Sequence, residues 1–239
     1  MENEKIRINK YLALCGVCSR READRLIENE RIFVNSKIAS KGDLVSDDDQ
    51  IYVDGKKIEP NKKVVVAYYK PKGVICTEKD EHAENKITDV FKFPIRLTYA
   101  GRLDKDSEGL LLLTNDGDLI NRLMKAENFH EKEYEVKINK EVTEEFIERM
   151  SSGIFLPEVN IKTRPCKVWK TGKRSFNIIL TQGVNRQIRR MCKTQNCYVT
   201  FLKRVRIANI SLANLKTGEY RILDGIELQA LYKKSYNEM

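Results

Sequence analysis

Histidine, tryptophan and long apolar runs are scarce in this 239-residue sequence, which contains two histidines and one tryptophan. No stretch approaches the ~18 consecutive apolar residues that a membrane-spanning helix needs. Residues 1–10 also lack the apolar run of a signal peptide. The sequence therefore predicts a cytoplasmic protein with no membrane partner.

The residues that commonly bind metals are poorly spaced for a metal site. Cys15 and Cys18 form one C-x-x-C pair, whereas Cys192 and Cys197 are separated by four residues. A structural zinc site needs a second matched pair or histidine ligands, and the two histidines follow neither pair at such a spacing. We expect reduced, mostly packed thiols and no metal.

Acidic residues are absent from one long segment. Between Val159 and Gly218 there is no Asp or Glu, whereas the same segment holds fourteen Lys and Arg, and the whole chain has a net charge of +9. Such a segment repels itself unless its charges face a polyanion, and the phosphate backbone of a nucleic acid is the polyanion that fits best. A solvated basic surface is the alternative that charge alone leaves open.

Residues 1–60 have the pattern of a compact module. Apolar residues at helical spacing predict a first helix that ends at Gly16. A second helix is predicted to start at Ser19, which forms a capping box with Glu22. Two short strands and a hairpin turn are predicted at residues 32–34, 50–53 and 54–55.

This module resembles the S4 RNA-binding module. The matching segments are Arg7-Ile8-Asn9-Lys10-Tyr11-Leu12, Cys18-Ser19-Arg20-Arg21-Glu22-Ala23 and Val34-Asn35. The resemblance implies two helices packed on a small sheet that grips structured RNA. A helix that offers arginines and its own N-terminus suits phosphate groups, although arginines on a solvated helix face are common. The predicted RNA contacts are Arg7, Lys10, Arg20, Arg21 and Arg25.

Residues 64–239 are predicted to form a second domain, after a linker at residues 59–63. Strand patterns occur at residues 64–69, 110–113, 133–138, 175–181 and 197–202, and helical patterns at residues 143–150 and 185–194. Many strands with few helices between them predict an α+β domain on a mixed, mostly antiparallel sheet.

A polar loop between Gly101 and Gly109 leads into the apolar strand at residues 110–113. Its alternating carboxylates, which begin with Asp104, lack the glutamate that a calcium loop has at its twelfth position. Spacing alone favours a turn aspartate that bonds its own backbone.

The predicted helix over residues 185–194 carries four cations at spacings of three or four residues, namely Arg186, Arg189, Arg190 and Lys193. Like charges at this spacing destabilise a helix by about 0.2–0.5 kcal/mol per pair. We expect phosphates to compensate most of these charges and a protein carboxylate to compensate one.

Four motifs, in order, resemble those of the RsuA-type pseudouridine synthases. They are Tyr69-Lys70-Pro71-Lys72-Gly73, the loop Gly101-Arg102-Leu103-Asp104 with its continuation to Leu111, Lys132-Glu133-Tyr134, and residues 183–191. Together with the S4 module, the resemblance spans nearly the whole chain. Residues 130–134 and 184–192 most resemble the RluF branch, which acts on large-subunit ribosomal RNA. The resemblance implies a monomeric enzyme that isomerises a uridine of structured ribosomal RNA without metal or organic cofactor.

The resemblance assigns catalysis to Asp104. In the reaction the N1–C1′ glycosidic bond breaks, uracil rotates, and C5 bonds to C1′. The carboxylate could attack C1′ or remove the C2′ proton, and the sequence leaves both routes open. Because an isomerase keeps its leaving group, one carboxylate can suffice where a hydrolytic glycosidase uses two.

The resemblance also implies the supporting residues. Arg189 is expected to form an ion pair with Asp104, and Tyr134 to stack on the target base. Arg102 either fills the gap left by the flipped uridine or contacts a phosphate. The other predicted RNA contacts are Lys70, Lys72, Arg186, Arg190 and Lys193, with solvated charges as the alternative for Lys70 and Lys72.

Two other functions compete with this one. A non-catalytic S4-type RNA-binding or ribosome assembly factor would share the basic surface but would not require Asp104, Tyr134 and Arg189 together. An RNA glycosidase or nuclease would need metal-binding carboxylates or paired histidines. The acid-free segment and the two histidines argue against a nuclease.

Overall fold

The computed structural model describes residues 5–77 and 84–236. The chain divides into two compact units. The first comprises Met1–Val64 with the short segments Phe93–Thr98 and Thr114–Gly117, and the second comprises Val65–Lys92, Tyr99–Leu113 and Asp118–Met239. No helix in the described part of the chain is long and apolar enough to cross a membrane.

The described part of the first unit, from residue 5 onward, contains two helices and six short strands. In chain order they are β1 (Ile6–Arg7), α1 (Ile8–Leu14), α2 (Arg20–Glu28), β2 (Ile32–Val34), β3 (Lys37–Ile38), β4 (Leu44–Val45), β5 (Ile51–Val53) and β6 (Lys56–Ile58). Strands β3, β2, β5 and β6 form an antiparallel sheet in that order, and β1 pairs with β4. The helices and the sheet share one apolar core.

Local sequence signals explain these elements. The hydroxyl oxygen of Ser19 accepts a hydrogen bond from the Glu22 N–H at 3.2 Å, so the predicted start of α2 is confirmed. Asp54 and Gly55 both have positive φ, at 50° and 76°. That conformation belongs to the tight turn of a hairpin, and the turn joins β5 to β6 as predicted.

The segment that precedes residue 65 is not a free linker. The Thr114 hydroxyl donates to the Val64 carbonyl at 2.6 Å, and the Val64 N–H donates to the Asn115 side chain at 2.9 Å. Lys63 forms an ion pair of 2.9 Å with the buried Asp116. The prediction of a linker at residues 59–63 is therefore wrong for its C-terminal end, because polar groups far along the chain hold it in place.

The second unit is built mainly from strands, with several helices between them. In chain order the strands and helices are β7 (Val65–Lys70), α3 (Ile87–Val90), β8 (Thr98–Ala100), β9 (Glu108–Thr114), α4 (Gly117–Met124), β10 (Lys132–Ile138), α5 (Glu144–Ser152), β11 (Phe155–Leu156), β12 (Ile161–Lys162), β13 (Lys167–Gly172), β14 (Ser175–Leu180), α6 (Gln187–Thr194), β15 (Val199–Ile207), β16 (Ile210–Ser211), β17 (Tyr220–Ile222) and α7 (Gly225–Tyr236). Single turns of 3₁₀ helix lie at Ala126–Asn128 and Pro157–Val159.

Within the described residues, nine strands form one sheet with the order β13-β14-β10-β15-β9-β7-β17, to which β16 and β8 are added. The pairs of β10 with β14 and β15 are antiparallel, whereas β15 and β9 are parallel. The predicted α+β class with a mixed, mostly antiparallel sheet is confirmed. One apolar cluster packs around β7, β9, α4 and α7, and another around β10, β14, α5 and α6.

Candidate active site

A cavity of about 550 Å³ opens in the second unit, a volume within the range of ligand-binding sites. It is lined by the loop before β9, by β10, by the segment from β14 into α6, and by β15. Arg102, Asp104, Tyr134 and Arg186 are all among the lining residues. The cavity thus brings together four of the residues that were predicted from three separate motifs.

Strand register explains how the motifs meet. Tyr134 on β10 lies opposite Arg204 on β15, and Arg204 in turn lies beside Gly109 on β9. Gly109 has a φ of 108°, and a Cβ at this position would lie 2.3 Å from the Arg204 carbonyl oxygen. Only glycine allows this approach, which holds the start of β9, and therefore the preceding loop, next to Tyr134.

The main chain of the loop is anchored at successive residues. The Ser107 N–H donates to the Asp104 carbonyl at 3.0 Å, and the Gly73 N–H donates to the Lys105 carbonyl at 2.7 Å. The Asp104 side chain takes no part in this turn, so the alternative of an aspartate that bonds its own backbone does not hold. Its carboxylate reaches the cavity with 30% of the side chain exposed.

The cation nearest the Asp104 carboxylate is Arg186, whose Nη1 lies 3.8 Å from Asp104 Oδ2 and 3.8 Å from Asp106 Oδ2. The predicted ion pair between Asp104 and Arg189 is therefore wrong. Arg189 instead donates to the Asp106 carbonyl at 3.0 Å and to the Ser107 hydroxyl at 3.2 Å. It supports the site by holding the loop. Burial and the neighbouring Arg186 lower the pKa of Arg189.

Backbone conformation separates these two arginines. Arg186 has a φ of 53° and precedes α6, which starts at Gln187 rather than at residue 185 as predicted. A left-handed residue cannot continue a right-handed helix. Arg186 therefore lies outside the helix, so the helical spacing that was assumed for the four cations does not apply to it. Its side chain lines the cavity.

Family models match both parts of the chain. A model described as RNA pseudouridylate synthase matches residues 64–194, which is more than half of the sequence, and a model of the S4 domain matches residues 6–51. The chain belongs to the RNA pseudouridylate synthase family. The resemblance to the RsuA-type branch with an N-terminal S4 domain is confirmed.

Similar proteins span the same length. The chain is 45% identical over 236 residues to the dual-specificity RNA pseudouridine synthase RluF of Escherichia coli (strain K12), covering 98% of this chain and 80% of that protein. It is 36% identical to the ribosomal large subunit pseudouridine synthase B of Bacillus subtilis (strain 168), over 94% of this chain and 95% of that one. A crystal structure of a pseudouridylate synthase has a TM-score of 0.70 at 28% identity, covering 95% of this chain and 99% of that chain.

In this pseudouridylate synthase, two of the predicted RNA contacts already have a protein partner. Arg190 forms an ion pair with Glu158, and Lys193 lies 2.5 Å from the same carboxylate. Glu158 immediately precedes the acid-free segment. Sequence reasoning missed it because nothing local connects residue 158 with two cations that follow it by 32 and 35 residues.

The burial of Lys70 contradicts the prediction that this residue contacts RNA. Its side chain has no exposed surface. Its ammonium group donates to the carbonyls of Pro71 and Val74, both at 2.8 Å. Burial lowers the pKa of Lys70 to about 8. Lys72, in contrast, is exposed, and its contact with RNA stays a prediction.

Three cations that line the cavity were not predicted as site residues, namely Lys132, Arg204 and the exposed Lys105 beside Asp104. Lys132 belongs to the tyrosine motif, and its position two residues before Tyr134 on one strand is a signal that could have identified it. Arg204 is 2% exposed, and its Nε donates to the Leu110 carbonyl at 2.7 Å. No comparable signal exists for Arg204, because its placement depends on an irregularity of β15.

The predicted RNA contacts of the S4 domain lie at or near the surface of the first unit. Arg7, Arg20, Arg21 and Arg25 are exposed, and Arg25 is 3.3 Å from Glu22. Lys10 is half-buried. Their contacts with RNA stay predictions.

Among residues 5–77 and 84–236, no group of three or more His, Cys, Asp or Glu side chains is arranged to hold a metal ion.

Proposed function

We propose that this chain isomerises a uridine of large-subunit ribosomal RNA to pseudouridine in the cytoplasm. The observation that carries the proposal is the cavity in which Asp104, Tyr134 and Arg186, from three distant segments, lie together. Relatives that match nearly the whole chain are named as RNA pseudouridine synthases, and one of them as an enzyme of the large ribosomal subunit.

Asp104 is the catalytic residue of this proposal. Its carboxylate is presented by an anchored loop and faces the Arg186 guanidinium at 3.8 Å. A positioned carboxylate can bond to C1′ or take the C2′ proton as the N1–C1′ bond breaks. Neither route changes an oxidation state or consumes water, so the proposal needs no metal and no organic cofactor.

Tyr134 is the residue on which the target base stacks. An enzyme that acts on a base inside structured RNA must first take the base out of its stack. An aromatic ring on the cavity wall compensates the lost stacking by ~1–3 kcal/mol. Arg102 is exposed at the cavity, where it either occupies the vacated space or holds a neighbouring phosphate.

The S4 domain supplies RNA affinity that is independent of the reaction. Exposed arginines on α2 and at its N-terminus suit phosphate groups, because the helix N-terminus carries a partial positive charge. Affinity of this kind depends on salt, whereas the chemical step inside the cavity does not.

The test replaces Asp104 by Asn and uses Asp106→Asn as its matched control. Both carboxylates are on the same loop and 3.8 Å from Arg186, but the Asp106 side chain is 57% exposed. Purified proteins are incubated with large-subunit ribosomal RNA, and pseudouridine is mapped in the product. Asp104→Asn is expected to form none while binding RNA within a few-fold of wild type, and Asp106→Asn is expected to stay active.

Normal turnover by Asp104→Asn would remove this residue from the mechanism. Tight RNA binding by the wild-type protein without any pseudouridine would instead favour the non-catalytic RNA-binding factor. The same assay with transfer RNA tests whether the chain shares the dual specificity for which its Escherichia coli relative is named.

A further inference from the structure

Of the cations that line the cavity, Arg102, Lys105 and Arg186 are exposed, whereas Lys132 and Arg204 are at least partly buried. Neither Lys132 nor Arg204 has a carboxylate within ion-pair distance in the described part of the chain. The Lys132 ammonium makes a single hydrogen bond, to the His130 carbonyl at 3.3 Å. Arg204 donates from Nε and weakly from Nη1 to carbonyls of the neighbouring loop and strand, while its buried Nη2 finds no partner there. Other basic residues of this unit, such as Arg206, have carboxylate partners.

The two cations flank Tyr134. Lys132 and Tyr134 are two residues apart on β10 and therefore project from the same face of the sheet, and both line the cavity. Arg204 lies directly opposite Tyr134 on β15. A base stacked on the Tyr134 ring would have an ammonium group beside one edge and a guanidinium beside another.

A cation in this position costs stability. Burial, followed by repulsion from Arg204, lowers the pKa of Lys132 to about 8. The other charged groups that line the cavity are Arg102, Lys105, Arg186 and Asp104. Asp104 is the one carboxylate among the described lining residues, and it lies near Arg186 and makes no ion pair with Lys132. Charges removed from water are ordinarily paired. Lys132 is partly buried and lacks an anion, and such perturbed groups cluster at functional sites.

We propose that Lys132 is a catalytic residue that donates a hydrogen bond to a carbonyl oxygen of the uracil and stabilises the negative charge that develops when the N1–C1′ bond breaks. This inference rests on the proposed function and on the stacking of the base on Tyr134. Arg204 acts as a positioning residue, because its hydrogen bonds run to the main chain of the loop and of β9.

The electron balance of the step explains the need for a donor. When the glycosidic bond breaks, its electron pair remains on uracil and is shared between N1 and the carbonyl oxygens. C1′ is satisfied by a bond to the Asp104 carboxylate, or by loss of the C2′ proton to it. The C5–C1′ bond then forms with an electron pair of the ring, while the Asp104–C1′ bond breaks or, in the other route, the C2′ proton returns from Asp104. The C5 proton leaves, N1 gains a proton, and the Asp104 carboxylate is regenerated. Lys132 keeps its own proton throughout and only donates a hydrogen bond.

A donor aimed at developing charge in a site with little water contributes more to the transition state than to binding. Removing one such donor typically lowers the rate about 10²-fold or more. A lysine that contacts a phosphate would behave differently, because its loss would weaken RNA binding and reduce the salt dependence of the affinity.

The test compares Lys132→Met with Lys137→Met. Both lysines are on β10 and the substitutions are identical. Lys137, however, is exposed, and because it lies five residues from Lys132 its side chain projects from the opposite face of the sheet. Single-turnover pseudouridine formation is measured with enzyme in excess, RNA affinity is measured separately, and thermal melts verify folding. Lys132→Met is expected to lower the single-turnover rate about 10²-fold, with the RNA Kd unchanged within three-fold. Lys137→Met is expected to match wild type.

Lys132→Arg is the second variant. Because it restores a charged donor, its single-turnover rate is expected to be at least tenfold higher than that of Lys132→Met. A rate for Lys132→Met within three-fold of wild type overturns the inference. So does a loss that appears entirely in the RNA Kd, which would make Lys132 a phosphate contact. Asp104→Asn is assayed in parallel: if it is inactive while Lys132→Met is normal, this inference fails and the proposed function stands. If the wild-type protein forms no pseudouridine, both fail.

Discussion

Replacing Arg189 by Ala separates two roles for this residue, a clamp on the active-site loop and a partner of Asp104. Its guanidinium donates to the Asp106 carbonyl at 3.0 Å and to the Ser107 hydroxyl at 3.2 Å. A third, long contact reaches the Val199 carbonyl at 3.4 Å. These bonds connect α6 to the loop and to β15, so their loss is expected to loosen the loop.

The magnitude follows from the burial of each acceptor. Ser107 is 1% exposed, and a hydrogen bond from a charged donor to a buried acceptor contributes ~1.5–3 kcal/mol. Water can replace the donor at the more exposed Asp106 carbonyl. Arg189→Ala should therefore lower the free energy of unfolding by about 2–3 kcal/mol, which corresponds to a fall in Tm of roughly 5–10 °C.

Arg186→Ala is the matched control. Its side chain is 43% exposed and lies 3.8 Å from both loop carboxylates. Exposed ion pairs contribute ~0–1 kcal/mol, so the Tm of this variant should fall by less than about 3 °C. Both variants should lose activity, because a loop displaced by about 1 Å can cost 10²-fold in rate.

Double-mutant cycles on the free energy of unfolding decide between the two roles. Arg189→Ala combined with Ser107→Ala should show a coupling of about 1–2 kcal/mol, whereas its combination with Asp104→Asn should show less than ~0.5 kcal/mol. Chemical denaturation of the single and double variants supplies these values. The reverse pattern, with strong coupling to Asp104 and none to Ser107, would refute the clamp and restore the ion pair.

Three other predictions concern the pH dependence of the rate, the pH dependence of stability, and the S4 domain. Because the pKa of Lys132 is lowered to about 8, the single-turnover rate should fall as the pH rises above 8, and Lys132→Arg should remove that fall. The same shift means that the charged lysine destabilises the fold below pH 8. This penalty is relieved between about pH 8 and 10.5, because there the folded chain has lost the proton that the unfolded chain still binds. Lys132→Met should therefore have a higher Tm than wild type below pH 8, and a Tm difference that did not shrink between about pH 8 and 10.5 would contradict the assignment. On α2, the double variant Arg20→Ala, Arg21→Ala should weaken RNA binding and lower the slope of log affinity against log salt by about two units, whereas Arg31→Ala, which removes an exposed pair with Asp54, should leave the slope unchanged.

Elements with strong local signals were predictable from the sequence. The start of α2 depends on the Ser19 side chain and the N–H three residues later, and both are visible in the sequence. The same holds for α5, where the Thr143 hydroxyl accepts from the Phe146 N–H at 3.1 Å. Strand β9 was predictable because its apolar run is buried on both faces. Such signals act within a few residues and need no knowledge of the rest of the fold.

Side-chain partners were not predictable in the same way. Arg186 and Arg189 are both basic residues of one motif, and only the left-handed backbone of Arg186 decides which of them faces Asp104. Lys70 has the composition of a surface residue, yet two carbonyls of the turn after β7 enclose its ammonium group. In each case the outcome depends on backbone geometry that a pattern of residue types does not contain.

Strand β15 shows most clearly how geometry overrides composition. Arg204 and Arg206 are two residues apart, and a regular strand would place both on one face of the sheet. Opposite β10, however, the register passes from Glu133 beside Arg206 to Tyr134 beside Arg204, so that β15 contains one extra residue. Such a bulge turns the following side chain to the other face. Arg206 consequently pairs with Glu131 and Glu133 at 2.9 Å, while Arg204 enters the cavity beside Tyr134, where an unpaired cation has a use only if an electron-rich ligand arrives.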